Sequence, residues 1–136
     1  MITIGETARR VKTITEADIR TFATMAEDFN PLHHDAEFAS ASRFGGLIAA
    51  GPHYMSLLLG LLASHYSQHG PQVGVECSVV FEKPVRPGDT IELSWVVRAI
   101  EPKSRGDIVT LDGRITNQNG DTVLTAASKI FAIKDS

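Results

Sequence analysis

From Phe44 to Gly70 the chain carries no Asp or Glu, and in the middle of that run stand Leu57, Leu58, Leu59, Leu61, Leu62 and Ala63. Wound into a helix from Pro52 to about Gln68, these side chains surround the axis instead of lining one stripe. A helix apolar all round is either buried or crosses a membrane. The dense apolar run covers about ten residues, is interrupted by Gly60, and is bounded by His53 and His65, well short of the roughly twenty residues that a bilayer requires. Burial inside a soluble protein is therefore expected, and the rest of the chain must supply the surface that buries this helix. Gly51-Pro52 suits its start, because proline lacks only an N–H that has no partner in the first turn, and Gly70-Pro71 suits its end.

That surface is legible downstream, where the period changes from helical to alternating. Val73, Val75, Cys77, Val79 and Phe81 alternate with Gly74, Glu76, Ser78, Val80 and Glu82, the pattern of a strand with one buried face. Lys83 to Asp89 reads as a turn, after which Ile91, Leu93, Trp95 and Val97 alternate again. Pro102 to Gly106 forms a further turn, Val109, Leu111 and Ile115 continue the pattern, Asn119-Gly120 signals a hairpin, and Thr122 to Ile133 is the last strand. Four consecutive strands joined by short turns predict an antiparallel meander. Upstream, residues near Glu6 to Ile14 suggest a first strand or extended arm. Thr15-Glu16-Ala17-Asp18 reads as a capping box opening a helix with Ile19, Phe22, Ala23 and Ala26 at helical spacing, and Asp35 to Ser42 suggests two further helical turns. One sheet wrapping one apolar helix is an α+β arrangement, and since one helix cannot cover a curved sheet on every side, a second subunit is expected.

Composition bounds the function classes. A chain of 136 residues with 43% apolar and 21% charged side chains suits one domain, 1–136, that builds its core without disulfides. The net charge of −3 and the lack of a basic run argue against a nucleic-acid partner. The single cysteine, Cys77, excludes an intrachain disulfide, and its place in an alternating strand predicts a small buried hydrophobe. The first residues show neither a basic nor a long apolar leader region, so a cytoplasmic protein is expected.

Ionisable groups concentrate on Glu27-Asp28-Phe29-Asn30-Pro31-Leu32-His33-His34-Asp35. Asn30-Pro31 favours turn initiation, and such a turn folds Asp28 and His33 back toward one small volume. A carboxylate and an imidazole sharing one water form an acid/base pair. The competing reading is an Asx-type turn with His33 exposed, since Asn, Asp and Pro are ordinary turn residues.

In this order, the helix from Thr15, the Asp28-Phe29-Asn30-Pro31-Leu32-His33 turn, Gly51, Phe81-Glu82-Lys83-Pro84-Val85 and Pro87-Gly88-Asp89-Thr90 resemble the MaoC-like hot-dog family, and within it the (R)-specific enoyl-CoA hydratases. The Asp-x-Asn-Pro-x-His segment is the specific part. The resemblance implies a single hot-dog domain, an antiparallel sheet wrapped around a long apolar helix, paired as a homodimer or an assembly of dimers with the active site near the subunit interface. It implies reversible addition of water to a trans-2-enoyl thioester, with Asp28 and His33 as the hydrating pair, Asn30 supporting the turn, and the Gly51 N–H facing the thioester oxygen. A helix amino terminus offers unpaired N–H groups and a positive dipole end, and Pro52 cannot donate, which agrees with Gly51 in that role. The acyl-CoA thioester is then the substrate, and no cofactor, metal or membrane is required. Many hydratases have His-Gly-Met where this chain has Ala50-Gly51-Pro52 followed by His53, so Ala50 and His53 are expected beside the acyl pocket.

Two other functions share the scaffold. A hot-dog thioesterase often uses a carboxylate on the long helix, which the Phe44–Gly70 run lacks; a non-catalytic acyl-thioester-binding module needs no Asp28/His33 pair. His53 is either a site residue or a polar residue at a helix start. His65 and His69, at i and i+4, match two metal ligands or, more simply, partners of a helix carboxyl end, with no carboxylate near them in sequence. Lys83, Arg86 and Arg105 read as solvated turn charges or as contacts to CoA phosphates. Trp95 reads as core or dimer interface.

Overall fold

The computed structural model describes residues 1–134, and its centre is the long helix α3 (Gly51–Tyr66), extended by a 3-10 turn over Ser67–His69. Five strands form one antiparallel sheet against it: β1 (Thr7–Thr13), β2 (Gln72–Phe81), β3 (Thr90–Lys103), β4 (Gly106–Thr116) and β5 (Thr122–Ile133), in the order β1-β3-β4-β5-β2. Two short helices, α1 (Glu16–Met25) and α2 (Ala36–Ala41), precede α3. Among the described residues no helix is long and apolar enough to cross a membrane.

Alternation does its expected work in the middle of the sheet. Ile91, Leu93, Trp95 and Val97 of β3 and Val109, Leu111 and Ile115 of β4 are buried, and they meet Tyr54, Leu58, Leu61, Leu62 and Tyr66 of α3 in one core. Each such aliphatic side chain contributes about 1.5–3 kcal/mol by leaving water. Trp95 also donates its indole N–H to the Leu58 carbonyl at 2.7 Å, tying the sheet to the helix. Its ring lies over Gly113, where a Cβ would come within 2.6 Å of it.

Three expectations need correction. Strands β3, β4 and β5 form a meander, but β2 does not adjoin β3: it pairs with β5 at one edge of the sheet, while β3 pairs with β1 at the other. The Lys83–Asp89 segment is therefore a crossing and not a hairpin turn. Pro84 and Pro87 have no N–H for a ladder, and the buried Val85 instead offers its carbonyl to the Ala49 N–H at 2.8 Å, while Gly88 and Asp89 exchange bonds with Ile14. Second, α3 is not buried all round: Gly60, Ala63 and Ser64 face outward and Leu57 and Leu59 are only half-buried. Third, the alternating face of β2 is open in the isolated chain. Val73, Val75 and Phe81 are exposed and Cys77 is half-buried, because β2 has only one neighbouring strand and its register shifts between Gly74 and Glu76.

Candidate active site

The turn that carries Asp28 begins as the end of α1. The capping box predicted at Thr15 forms, with Asp18 N–H bonding the Thr15 hydroxyl and Thr15 N–H bonding the Asp18 carboxylate, both at 3.0 Å. At the other end Glu27 takes a positive φ of 57°, its N–H bonds the Thr24 carbonyl, and the Asp28 N–H bonds the Ala23 carbonyl at 2.8 Å. This is a Schellman ending with a glutamate where glycine is usual. It sets Asp28 immediately outside the helix.

Two side-chain turns follow. Asp28 Oδ1 accepts the Asn30 N–H and Asn30 Oδ1 accepts the Leu32 N–H, each at 3.1 Å, so Asn30 caps the 3-10 turn Pro31–His33. The Asx turn forms, and it leaves room for the acid/base reading: one carboxylate oxygen makes the turn and the other is left over. His33 is buried, contrary to the exposed alternative, and its Nε2 lies 3.4 Å from Asp28 Oδ2. Its Nδ1 donates to the Ile48 carbonyl at 2.7 Å. That bond assigns the neutral ring's proton to Nδ1 and leaves a lone pair on Nε2 toward Asp28.

Ile48 is held by its own N–H to the Leu32 carbonyl, and Ala49 by its N–H to the Val85 carbonyl, so the strip before α3 is stitched to the turn on one side and to the β2–β3 crossing on the other. The strip ends at the buried Ala50, the N-cap of α3, which has no side-chain capping bond. Gly51, the first helical residue, has an N–H without an intrahelical acceptor. A Cβ on Gly51 would lie 2.7 Å from the Phe81 ring, so only glycine fits beneath that ring as it stands. Phe81 in turn meets buried Tyr54 edge-on, with centroids 5.9 Å apart. Asp28, His33 and the amino terminus of α3 are thus linked by three short hydrogen-bonded segments.

The other residues singled out in the sequence fall elsewhere. His53 is buried and stacks flat on Phe22 of α1, with centroids 4.7 Å apart, and its Nδ1 has no partner among the described residues. Burial holds its pKa below the ordinary histidine value, against the pull of Asp18 and with the help of Lys12. Lys83 pairs with Asp121 at 3.1 Å, and Arg86 donates to the Phe44 carbonyl. His65 and His69 do meet a carboxylate, brought from the amino-terminal arm: both donate to Glu6 Oε2, at 3.0 and 2.8 Å. Burial works to raise the Glu6 carboxyl, but the bonds from His69 and His65 outweigh it and hold the pKa below the usual range. Among the described residues no three such side chains are arranged to hold a metal ion. Alternation places Phe81 on a strand and the ionisable turn contains His34, but no pattern in the chain signals that Phe81 lies over Gly51, that His34 bonds the Asp28 carbonyl or that the Ile48 carbonyl holds His33.

The MaoC like domain family model matches residues 3–119. The (R)-specific enoyl-CoA hydratase of Aeromonas caviae is 33% identical over 127 residues, covering 93% of this chain and 92% of that protein. A 3-hydroxybutyryl-CoA dehydratase of Methylorubrum extorquens is 32% identical over 120 residues, covering 81% and 76%. Among solved structures, the A. caviae (R)-hydratase involved in PHA biosynthesis superposes with a TM-score of 0.87 at 32% identity, covering 96% of this chain and 97% of that one. The fold described above is the hot-dog fold of these hydratases.

Proposed function

This chain belongs to the MaoC-like family of hydratases and dehydratases, and from that premise we propose that it reversibly adds water to a trans-2-enoyl-CoA to give the (R)-3-hydroxyacyl-CoA. The observation that carries this reading is the 3.4 Å approach of Asp28 Oδ2 and His33 Nε2, with His33 held from behind by Ile48.

In the form of the pair that carries no shared proton, a water lodged against Asp28 and His33 donates a hydrogen to the pair and turns a lone pair outward. That lone pair attacks Cβ of the enoyl group as the C=C π electrons shift to the Cα–carbonyl unit and negative charge gathers on the thioester oxygen. The water's proton passes to the Asp28/His33 pair, the enolate oxygen is stabilised by the Gly51 N–H and the positive end of α3, and the pair then returns a proton to Cα. Protons and charge balance within the site, and dehydration runs through the same groups in reverse. Asp28 and His33 are one coupled unit in this scheme, so the shared proton belongs to the pair. Buried Ala50, the N-cap of α3, bounds the space beside the thioester, and His53 packs behind it against Phe22.

A second copy of this chain covers the open face and edge of β2. Phe81 sits on that strand and also over Gly51, so the same pairing closes the site from the side of the thioester.

The test is the loss of enoyl absorbance when purified protein meets crotonyl-CoA and longer or branched enoyl-CoAs. Asp28→Asn and His33→Ala are expected to abolish it while the fold, read by circular dichroism, persists. Inactivity of the wild-type protein across the panel, with release of free CoA from acyl-CoAs, would establish a thioesterase instead.

A further inference from the structure

We propose that His34 is a positioning residue for the hydration pair, holding the Asp28 carboxylate in its orientation toward His33. The inference rests on the hydratase reading for its kinetic consequence, but its structural content does not.

Asp28 has four hydrogen-bonding sites, and three are engaged away from His33. Its N–H bonds the Ala23 carbonyl at 2.8 Å, its Oδ1 accepts the Asn30 N–H at 3.1 Å, and its backbone carbonyl accepts His34 Nε2–H at 2.7 Å. Only Oδ2 remains, and it is the atom 3.4 Å from His33 Nε2. The first two bonds are local, made by the helix ending and the Asx turn. The third reaches across the turn from the residue after His33 and fixes the Asp28–Phe29 peptide, hence the backbone from which the carboxylate projects.

His34 is itself tethered. Its backbone carbonyl accepts a hydrogen bond from the Arg20 guanidinium, and Arg20 lies on α1, where it also pairs with Glu16 at 3.3 Å. The half-buried His34 ring lies 6.0 Å from the Phe29 ring, tilted by 33°. The turn is thus closed into a ring of contacts: α1 delivers Asp28 at one end and grips the peptide beyond His33 at the other. Because Glu27 holds the left-handed conformation without being glycine, the turn has a strained residue next to Asp28 and needs such an external tie to keep one geometry. The His34 Nε2–H is present in both the cation and this neutral tautomer, so the brace works in either protonation state.

Catalysis by a positioned pair is sensitive to displacements of an ångström or less, which can cost about a hundredfold. His34→Phe keeps a ring beside Phe29 and removes the donor; His34→Gln keeps a donor at nearly the same reach. We expect His34→Phe to lower kcat for crotonyl-CoA hydration about ten- to a hundredfold with KM little changed, and His34→Gln to recover most of that loss. Crystal structures of the two variants provide a readout independent of turnover. The Asp28 Oδ2 to His33 Nε2 approach is expected to open in His34→Phe and to persist in His34→Gln. A His34→Phe protein with wild-type kcat and an unchanged Asp28–His33 approach overturns the inference, as does a folded His34→Gln protein that fails to recover either. If wild-type protein proves inactive on every enoyl-CoA, the hydratase reading fails alone, and the two crystal structures still decide the role of His34.

Discussion

Two residues at the amino end of α3 carry separate consequences. Gly51 is constrained by Phe81, since an added Cβ would sit 2.7 Å from the ring. Gly51→Ala therefore has to push either the ring or the first helical turn, and if the Gly51 N–H is the oxyanion donor proposed above, displacing it costs roughly a hundredfold in kcat. Adding Phe81→Ala to Gly51→Ala should return part of that activity, which steady-state kinetics on the single and double variants will read as non-additivity. His53 bears on stability. Its folded pKa lies below the value of about 6.5 expected in the unfolded chain, so the unfolded state binds the proton more readily, and stability is full above about pH 6.5 and falls as pH drops below it. Urea unfolding at pH 7 and pH 5 should show this loss in wild-type protein and a smaller one in His53→Phe, which keeps a ring against Phe22. Asp18, whose carboxyl is held down chiefly by the Thr15 N–H, acts in a more acid window, as pH falls through its own lowered pKa. The two contributions are separable by pH.

At the scale of elements, the ending of α1 determines where Asp28 stands, and it does so with a residue poorly suited to the task. A non-glycine residue in the left-handed region costs about 1 kcal/mol, so Glu27→Gly should stabilise the protein by up to about that amount, measured as a shift in the urea midpoint without a change in slope. Lower activity in that more stable variant would mean that a tighter grip on this turn matters to function. The capping box, the Asn-Pro turn and the hairpin at Asn119-Gly120 were all legible in the chain, because each is made by residues within a few positions of one another; Gly120 takes the positive φ of 78° that such a hairpin requires. The strand β2 was legible as a strand but not in its placement. Its alternation is the same whether it lies beside β3 or beside β5, and only the crossing by Pro84-Val85-Arg86-Pro87 past Ala49 separates the two.

For the whole molecule, the open strand β2 is the main unfinished surface. It exposes Val73, Val75, Val80 and Phe81 on an edge with one free ladder, which a second copy of the chain would cover. Sedimentation of wild-type protein should give a mass at or above twice that of the chain, and Val75→Lys with Val80→Lys should reduce it to the monomer mass and lower hydratase activity with it. A monomeric wild type that is fully active would rule out both the pairing and its part in the site. The α+β class, the buried helix with no carboxylate and the pair Asp28 and His33 follow from features that local chemistry writes into a sequence: period, turn residues and the types of side chain that chemistry needs. The strand order, the Phe81 ring over Gly51, the Glu6 carboxylate between His65 and His69, and the grip of Arg20 and His34 on the turn do not, because each joins residues whose meeting depends on how the chain crosses itself. Within a few positions the backbone leaves little choice of neighbour; across the fold, packing decides it.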